Sequence, residues 1–207
     1  MRQYSIDARN IKNPIYPCPI QMGGKNANGQ MLSIGNYYLS LDGKPFFGIC
    51  GEAHFSRINR ELWEDEIIKM KAGGLNMIAT YIFWIHHEEI EGTFDFSGNK
   101  DLRLFLELCK KNHMYVILRI GPFSHGECRN GGFPDWIYGQ PFDIRCDDPS
   151  YLYYTRRFYE QIYQQAKGLL FKDNGPVIGV QLENEHEHAS CPWEMTTENS
   201  KEWVVSG

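Results

Sequence analysis

From about residue 46 onward, the apolar positions of this chain switch repeatedly between two periods. Short, nearly continuous apolar runs read as buried strands, and stretches with apolar residues three and four apart read as amphipathic helices. Phe46–Cys50 is the first such strand. A helix over Arg60–Ala72 follows, with Asn59 as its N-cap, Gly73 and Gly74 at its end, and Trp63, Ile67 and Met70 as its buried stripe. Asn76–Tyr81 is the second strand. The next helix runs from about Lys100 to Lys111, where Leu102, Phe105, Leu106 and Cys109 fall at i, i+3, i+4 and i+7. Met114–Leu118 is the third strand. Asp148 and Pro149 open another helix, a cap followed by proline at its first position. Its apolar side is Tyr154, Phe158, Ile162, Ala166 and Leu169. Pro176–Val180 is the fourth strand.

Before this rhythm begins, residues 1–35 carry Pro14, Pro17, Pro19, Gly23-Gly24 and Asn28-Gly29, and read as irregular, turn-rich chain. Tyr37–Phe47 reads as a short β-hairpin turning at Asp42-Gly43. Strands alternating with helices imply a parallel α/β sheet. Loops after the strands are long and polar, and those before them are short, as in a TIM barrel with its chemistry at the C-terminal face. A complete (β/α)8 barrel takes about 250 residues. The expected fold is therefore the N-terminal half of such a barrel, about four βα units over residues 36–207, preceded by the hairpin. A small complete α/β fold is the rival, disfavoured because it would leave a sheet edge uncovered.

Composition narrows the function classes. The chain has 207 residues, a formal net charge of −5, and 42% hydrophobic and 14% aromatic residues, an ordinary globular balance. No Lys/Arg-rich run is present, which argues against nucleic acid. No run approaches the ~20 apolar residues of a membrane span, so no membrane partner is expected. The N-terminal residues lack the apolar stretch of a signal peptide, so as written the chain reads as cytoplasmic, and as secreted or periplasmic if a leader precedes it. The six cysteines include no C-x-x-C pair, and Cys50 and Cys109 read as buried small hydrophobes. His186 and His188 interleave with Glu185 and Glu187, but alternation along an extended segment points neighbours apart, so neither metal nor cofactor is expected.

The most informative segment is Val177-Ile178-Gly179-Val180-Gln181-Leu182-Glu183-Asn184-Glu185, an apolar run that ends in polar groups. Two carboxylates flanking an amide at a strand tip are costly unless they serve a ligand or pair with something. A Glu there can protonate a glycosidic oxygen, and an Asn beside it can hold a sugar hydroxyl. A satisfied structural carboxylate is the bland reading of the same residues. The other three tips are polar or aromatic too: Glu52, His54 and Arg57 after the first strand; Tyr81, Trp84, His86 and His87 after the second; Arg119, His125, Gly126 and Glu127 after the third. In a barrel these tips converge on one pocket. His86-His87-Glu88-Glu89 with Glu91 reads as a solvated loop, and Arg119 as the partner of a barrel carboxylate. No H-E-x-x-H, G-x-S-x-G or phosphate-binding glycine loop occurs.

With these residues in view, the chain resembles glycoside hydrolase family 35, the β-galactosidases. The resemblance rests on Gly51–Ile58, on Leu75-Asn76 with Thr80-Tyr81 and Trp84, and on Phe94–Asn99 with Asp101-Leu102. It continues through Val116–Arg119, Gly121-Pro122, Glu127, Gly131-Gly132, Pro134, Trp136 and Gln181–Glu185, so it covers about residues 37–186 in the family's order. It implies a retaining exo-β-glycosidase that takes terminal β-linked galactose from oligo- or polysaccharides. Glu185 would be the acid/base and Asn184 the contact to the sugar 2-hydroxyl. Tyr81 and Glu127 would contact the galactosyl unit, and Gly126 would lie with its backbone against it. The nucleophile, a further Glu near the seventh strand, lies outside this chain. Glu52, His54, Arg57, Trp84, His125 and Glu183 are expected in or around the pocket, with Glu183 holding Arg119 or Arg57. The common family form has Ile at the position of Ala53, Pro-Trp-Asn at Phe83-Trp84-Ile85, and Cys-Ala-Glu-Trp at His125-Gly126-Glu127-Cys128, and the segment from Glu187 to Trp203 is unlike its usual continuation. These departures surround the expected pocket and bear on which sugar it takes. The opposing class is a carbohydrate-binding or degenerate relative without turnover.

Overall fold

A computed structural model describes residue 5, residues 14–18 and residues 22–185. The chain divides into two compact units, residues 1–47 and 48–207.

The first unit is a four-stranded antiparallel sheet in chain order: β1 (Gly23–Lys25), β2 (Met31–Ile34), β3 (Leu39–Leu41) and β4 (Lys44–Phe46). β3 and β4 turn at Asp42-Gly43, as the dipeptide predicts. The stretch before residue 36, expected to be irregular throughout, contains β1 and β2. The reason is Asn26. Its Oδ1 accepts from the backbone N–H groups of Asn28 and Gln30, and its Nδ2 donates to Gln30 Oε1, which closes a hairpin on side-chain bonds that no alternation reveals. The first compact unit extends to residue 47.

The second unit is built on a parallel sheet. Its elements in order are β5 (Cys50–Glu52), α1 (Trp63–Ala72), β6 (Met77–Tyr81), α2 (Trp84–His87), α3 (Leu102–Lys111), β7 (Tyr115–Gly121), α4 (Pro149–Ala166) and β8 (Val177–Leu182). The four strands are adjacent, parallel and in chain order. One sheet face is sealed by helices. Ile78, Val116 and Leu118 pack there with Trp63 and Ile67 of α1, Leu102, Phe105, Leu106 and Cys109 of α3, and Phe158 and Ile162 of α4. Asp101 caps α3 by accepting from Leu104 N–H, and Asp148 caps α4 by accepting from Ser150 and Tyr151 N–H. Asn59 makes no capping bond, and a 3₁₀ turn over Arg60–Leu62 leads into α1 instead.

The first parallel strand is shifted from its expected place at Phe46–Cys50. Phe46 is taken by the antiparallel pairing with Leu39, and the parallel ladder starts at Cys50. Gly51 faces the helices so closely that a Cβ would stand 2.2 Å from Leu75 Cδ2 and 2.7 Å from Met70 Cε. Cys50 and Glu52 therefore take the other face, and Cys50 is exposed rather than buried, whereas Cys109 is buried as expected.

The loop after β6 is not solvated, as its charge suggested. Trp84 is 0% exposed and stacks on Phe158 at 4.8 Å, so it belongs to the core and not to the pocket. Its Nε1 donates to Glu88 Oε2 at 2.7 Å, Gly92 N–H donates to Glu88 Oε1 at 2.7 Å, and Arg157 of α4 pairs with the same carboxylate. Trp136 Nε1 donates to the Glu88 carbonyl at 2.9 Å. His87 is buried as well, stacked on Phe96 at 4.4 Å with Nδ1 3.0 Å from the Asp95 carbonyl, and burial pulls its pKa down to about 4. A buried carboxylate whose acceptor sites are filled by three donors is the physical reason the loop folds inward. Among the described residues, no helix is long and apolar enough to cross a membrane.

Removing the buried partner of Arg157 should be severe. Glu88→Ala is expected to destabilise the protein by about 3 kcal/mol in urea unfolding, the scale for breaking a buried ion pair. Its exposed neighbour Glu89, replaced by Ala, should cost less than about 0.5 kcal/mol.

Candidate active site

The open face of the parallel sheet carries a polar cluster at its C-terminal end. Parallel register sets Tyr81 opposite Arg119 and Arg119 opposite Gln181, with Glu52 two steps earlier on β5. Arg119 is the centre. Its Nη1 pairs with Glu52, its Nε donates to Gln181 Oε1 at 3.0 Å, its Nη2 donates to Asn184 Oδ1 at 2.7 Å, and its Cζ lies 3.7 Å above the Tyr81 ring. The expectation that Arg119 pairs with a barrel carboxylate is met by Glu52.

Asn184 Oδ1 accepts three bonds: from Arg119, from Tyr81 Oη at 2.8 Å and from Gln181 Nε2 at 3.3 Å. Burial, with the charges of Glu185 and Glu127, pushes the Tyr81 phenol up to about 12, so it stays a donor. With Oδ1 engaged in this way the amide cannot flip, and Nδ2 is its remaining donor. His54 lies beside this group, its ring 5.0 Å from that of Tyr81 and its Nδ1 accepting from Tyr81 N–H at 3.3 Å. Burial and the Arg57 charge hold the His54 pKa below its ordinary value, against the pull of Glu127.

Glu183 and Glu185 lie two apart, and the structure separates them by burial. The Glu183 side chain is 6% exposed. It accepts from Arg145 Nη2 at 2.7 Å, Arg145 Nε at 3.1 Å, Phe123 N–H at 3.2 Å and Asn184 N–H at 3.3 Å. Burial raises its pKa, with Arg145 and the two backbone donors opposing. Its partner is thus Arg145, neither Arg119 nor Arg57; Arg57 lies over the Phe83 ring at 4.3 Å. Sequence reasoning missed Arg145 because it sits in the irregular loop before α4, where no period marks it. Glu185 is 54% exposed, and its Oε2 lies 3.3 Å from His125 Nδ1.

The loop after β7 brings His125, Gly126 and Glu127 to the same end, all three with positive φ. A Cβ on Gly126 would stand 3.0 Å from the Phe83 ring and 3.2 Å from Tyr81. The Phe83 ring thus occupies the space that a side chain at position 126 would need. Glu127 borders an open cleft of about 400 Å³ with Arg57, His86, Lys100 and Arg129. The structure thus gathers Glu52, His54, Tyr81, Gly126, Glu127, Asn184 and Glu185 at one end of the sheet, puts Glu183 beneath them, and leaves Trp84 out. His186, Glu187 and His188 lie outside the described residues.

The burial contrast sets an expectation for stability. Glu183→Ala strands the Arg145 charge and should cost about 3–5 kcal/mol in chemical unfolding. Glu185→Ala should change stability by less than about 0.5 kcal/mol, because its half-exposed carboxylate loses little.

The chain matches Glycosyl hydrolases family 35 over residues 38–206. It is 36% identical to a β-galactosidase of Xanthomonas manihotis over 167 residues, which is 80% of this chain and 28% of that protein. With a β-galactosidase of Homo sapiens it is 39% identical over 167 residues, 79% of this chain and 25% of the relative. It therefore spans about a quarter of the length of these curated relatives. An exo-β-1,4-mannosidase, Op5Man5 from Opitutaceae bacterium strain TAV5, superimposes with a TM-score of 0.56 at 16% identity, covering 81% of this chain and 27% of that structure, a likeness of fold alone. A family match over most of the chain, together with identities well above 30%, makes this chain a member of glycosyl hydrolase family 35.

Proposed function

We propose that this chain supplies the N-terminal half of the (β/α)8 catalytic barrel of a retaining exo-β-glycosidase, a β-galactosidase, with Glu185 as its acid/base. The observation that carries the reading is the pairing of a locked Asn184 with a half-exposed Glu185 at the end of β8. The matched relatives support it, since they are β-galactosidases. The parallel order of β5 to β8 agrees with half a barrel, and Val180 on β8 is 53% exposed where a following unit would pack.

In the first step Glu185 gives its proton to the glycosidic oxygen as the bond to the anomeric carbon breaks. In the second it takes a proton from the water that releases the sugar. Asn184 Nδ2 donates to the sugar 2-hydroxyl, where a hydrogen bond strengthens as positive charge develops on the ring. Tyr81 and Glu127 hold further hydroxyls, and Gly126 lets the backbone lie against the sugar. The second carboxylate, needed about 5–5.5 Å from the first for retention, is a Glu on a later strand outside this chain. The sugar site is the polar cluster at the strand ends, where Glu52 and Glu185 are half-exposed and Tyr81 and Asn184 buried, and the buried Glu183 supports it from below.

Leaving-group dependence tests the assignment in the full-length protein. Glu185→Ala should abolish cleavage of galactosyl disaccharides yet still form the glycosyl-enzyme from an activated aryl β-galactoside. Added azide should then restore turnover and yield a β-glycosyl azide. Azide rescue of Glu183→Ala instead would reverse the two roles, and rescue of neither would place the acid/base elsewhere.

The 207-residue chain by itself should hydrolyse no aryl β-galactoside above background, because it lacks the second carboxylate. It should also self-associate in sedimentation, since β5 and β8 are the outer strands of the parallel sheet among the described residues. Monodisperse, active chain would refute the half-barrel assignment.

A further inference from the structure

We propose that Arg145 is a positioning residue for Glu185, setting the direction of the acid/base carboxyl through the backbone; this rests on the reading of Glu185 given above. The turn after β8 has an unusual backbone. Glu183 has φ 55° and Glu185 has φ 44°, both in the left-handed region that side-chain-bearing residues seldom adopt. Such residues persist only where their surroundings over-determine them. Here three consecutive carbonyls are held by side chains. Gln181 Nε2 donates to Glu183 O at 3.0 Å, and Arg145 Nη2 donates to Asn184 O at 3.0 Å and to Glu185 O at 3.2 Å.

Arg145 itself has little freedom. Its side chain is 2% exposed, its Cζ lies 3.9 Å over the Phe123 ring, and its Nε and Nη2 both meet the Glu183 carboxylate. Phe123 N–H donates to the other oxygen of that carboxylate, and Glu183 N–H donates to Gly121 O at 2.7 Å. The guanidinium thus ties the loop before α4, the loop after β7 and the tip of β8 into one unit. A guanidinium adds its Nε bond to the Glu183 carboxylate and its flat contact with Phe123 to the bonds from Nη2, and a lysine ammonium loses both.

The two functional side chains depend on this clamp unequally. Asn184 has its own three bonds to Arg119, Tyr81 and Gln181. The Glu185 carboxyl has its contact with His125 at 3.3 Å, between two half-exposed groups. Loosening the backbone should therefore misplace the proton donor while sugar binding through Asn184 survives. A merely structural ion pair would lower all activities in proportion to the folded fraction.

The test uses the full-length protein with two variants. Arg145→Met combined with Glu183→Gln removes both charges together, so that no buried charge is stranded. Arg145→Lys keeps the charge and loses the fork. Each is compared with Glu185→Ala on a galactosyl disaccharide and on 2,4-dinitrophenyl β-galactoside, whose leaving group needs no proton. For both variants kcat/KM on the disaccharide should fall about 100-fold, the scale of a 1 Å misplacement. The dinitrophenyl substrate should keep a kcat/KM close to that of the parent, and the melting temperature should stay near the parent's. Equal loss on both substrates, or loss on neither, overturns the positioning role. If Glu185→Ala itself shows no dependence on the leaving group, the acid/base reading fails, and the role of Arg145 fails with it.

Discussion

One guanidinium reaches all four parallel strands. Arg119 stands on β7, pairs with Glu52 on β5, lies over Tyr81 on β6, and donates to Gln181 on β8 and to Asn184 just beyond it. A cation on the half-open face of a sheet gains more from each partner than it would in bulk water, and it needs those partners because it is partly desolvated. The contacts are directional. They fix which amide atom of Asn184 points inward, and so which one is left for a ligand. The geometry of the polar cluster at the strand ends begins with this residue.

Beneath it, the same short segment places two carboxylates in opposite environments. Glu183 is enclosed by Arg145 and by backbone donors, whereas Glu185 stands half-exposed beside His125. Division of labour between neighbouring carboxylates by environment is a recurring way for one site to hold a structural group and a reactive one. The sharp turn between them needs left-handed backbone at non-glycine residues, and the buried ion pair supplies the constraint that keeps it.

Two neighbouring loops meet beside this cluster. The Phe83 ring fills the space a side chain at Gly126 would need, and His125 Nδ1 lies 3.3 Å from the Glu185 carboxylate. In a close-packed contact of this kind the volume on one loop limits what the facing backbone position can carry.

The amphipathic stripes of α1, α3 and α4 and the apolar runs of β6, β7 and β8 were legible because burial on one side imposes a period on the chain. The cap Asp148 was legible because capping is local chemistry, though Asn59 offered the same signal and makes no capping bond, and the strand-end cluster was legible because polar groups after apolar runs are conspicuous. What the chain could not show were meetings between residues far apart in it. Arg145 and Glu183 are 38 positions apart, and Arg157 and Glu88 are 69 apart. Neither arginine, and nothing around Glu88, breaks a local pattern. The order of roles at Glu183 and Glu185 is likewise silent in their spacing, since residues two apart in an extended segment share a side. Sequence determined the alternation of strands and helices and the end of the sheet where chemistry gathers. Tertiary structure decided which charge meets which, because burial and pairing depend on surfaces that exist only once the loops have closed over one another.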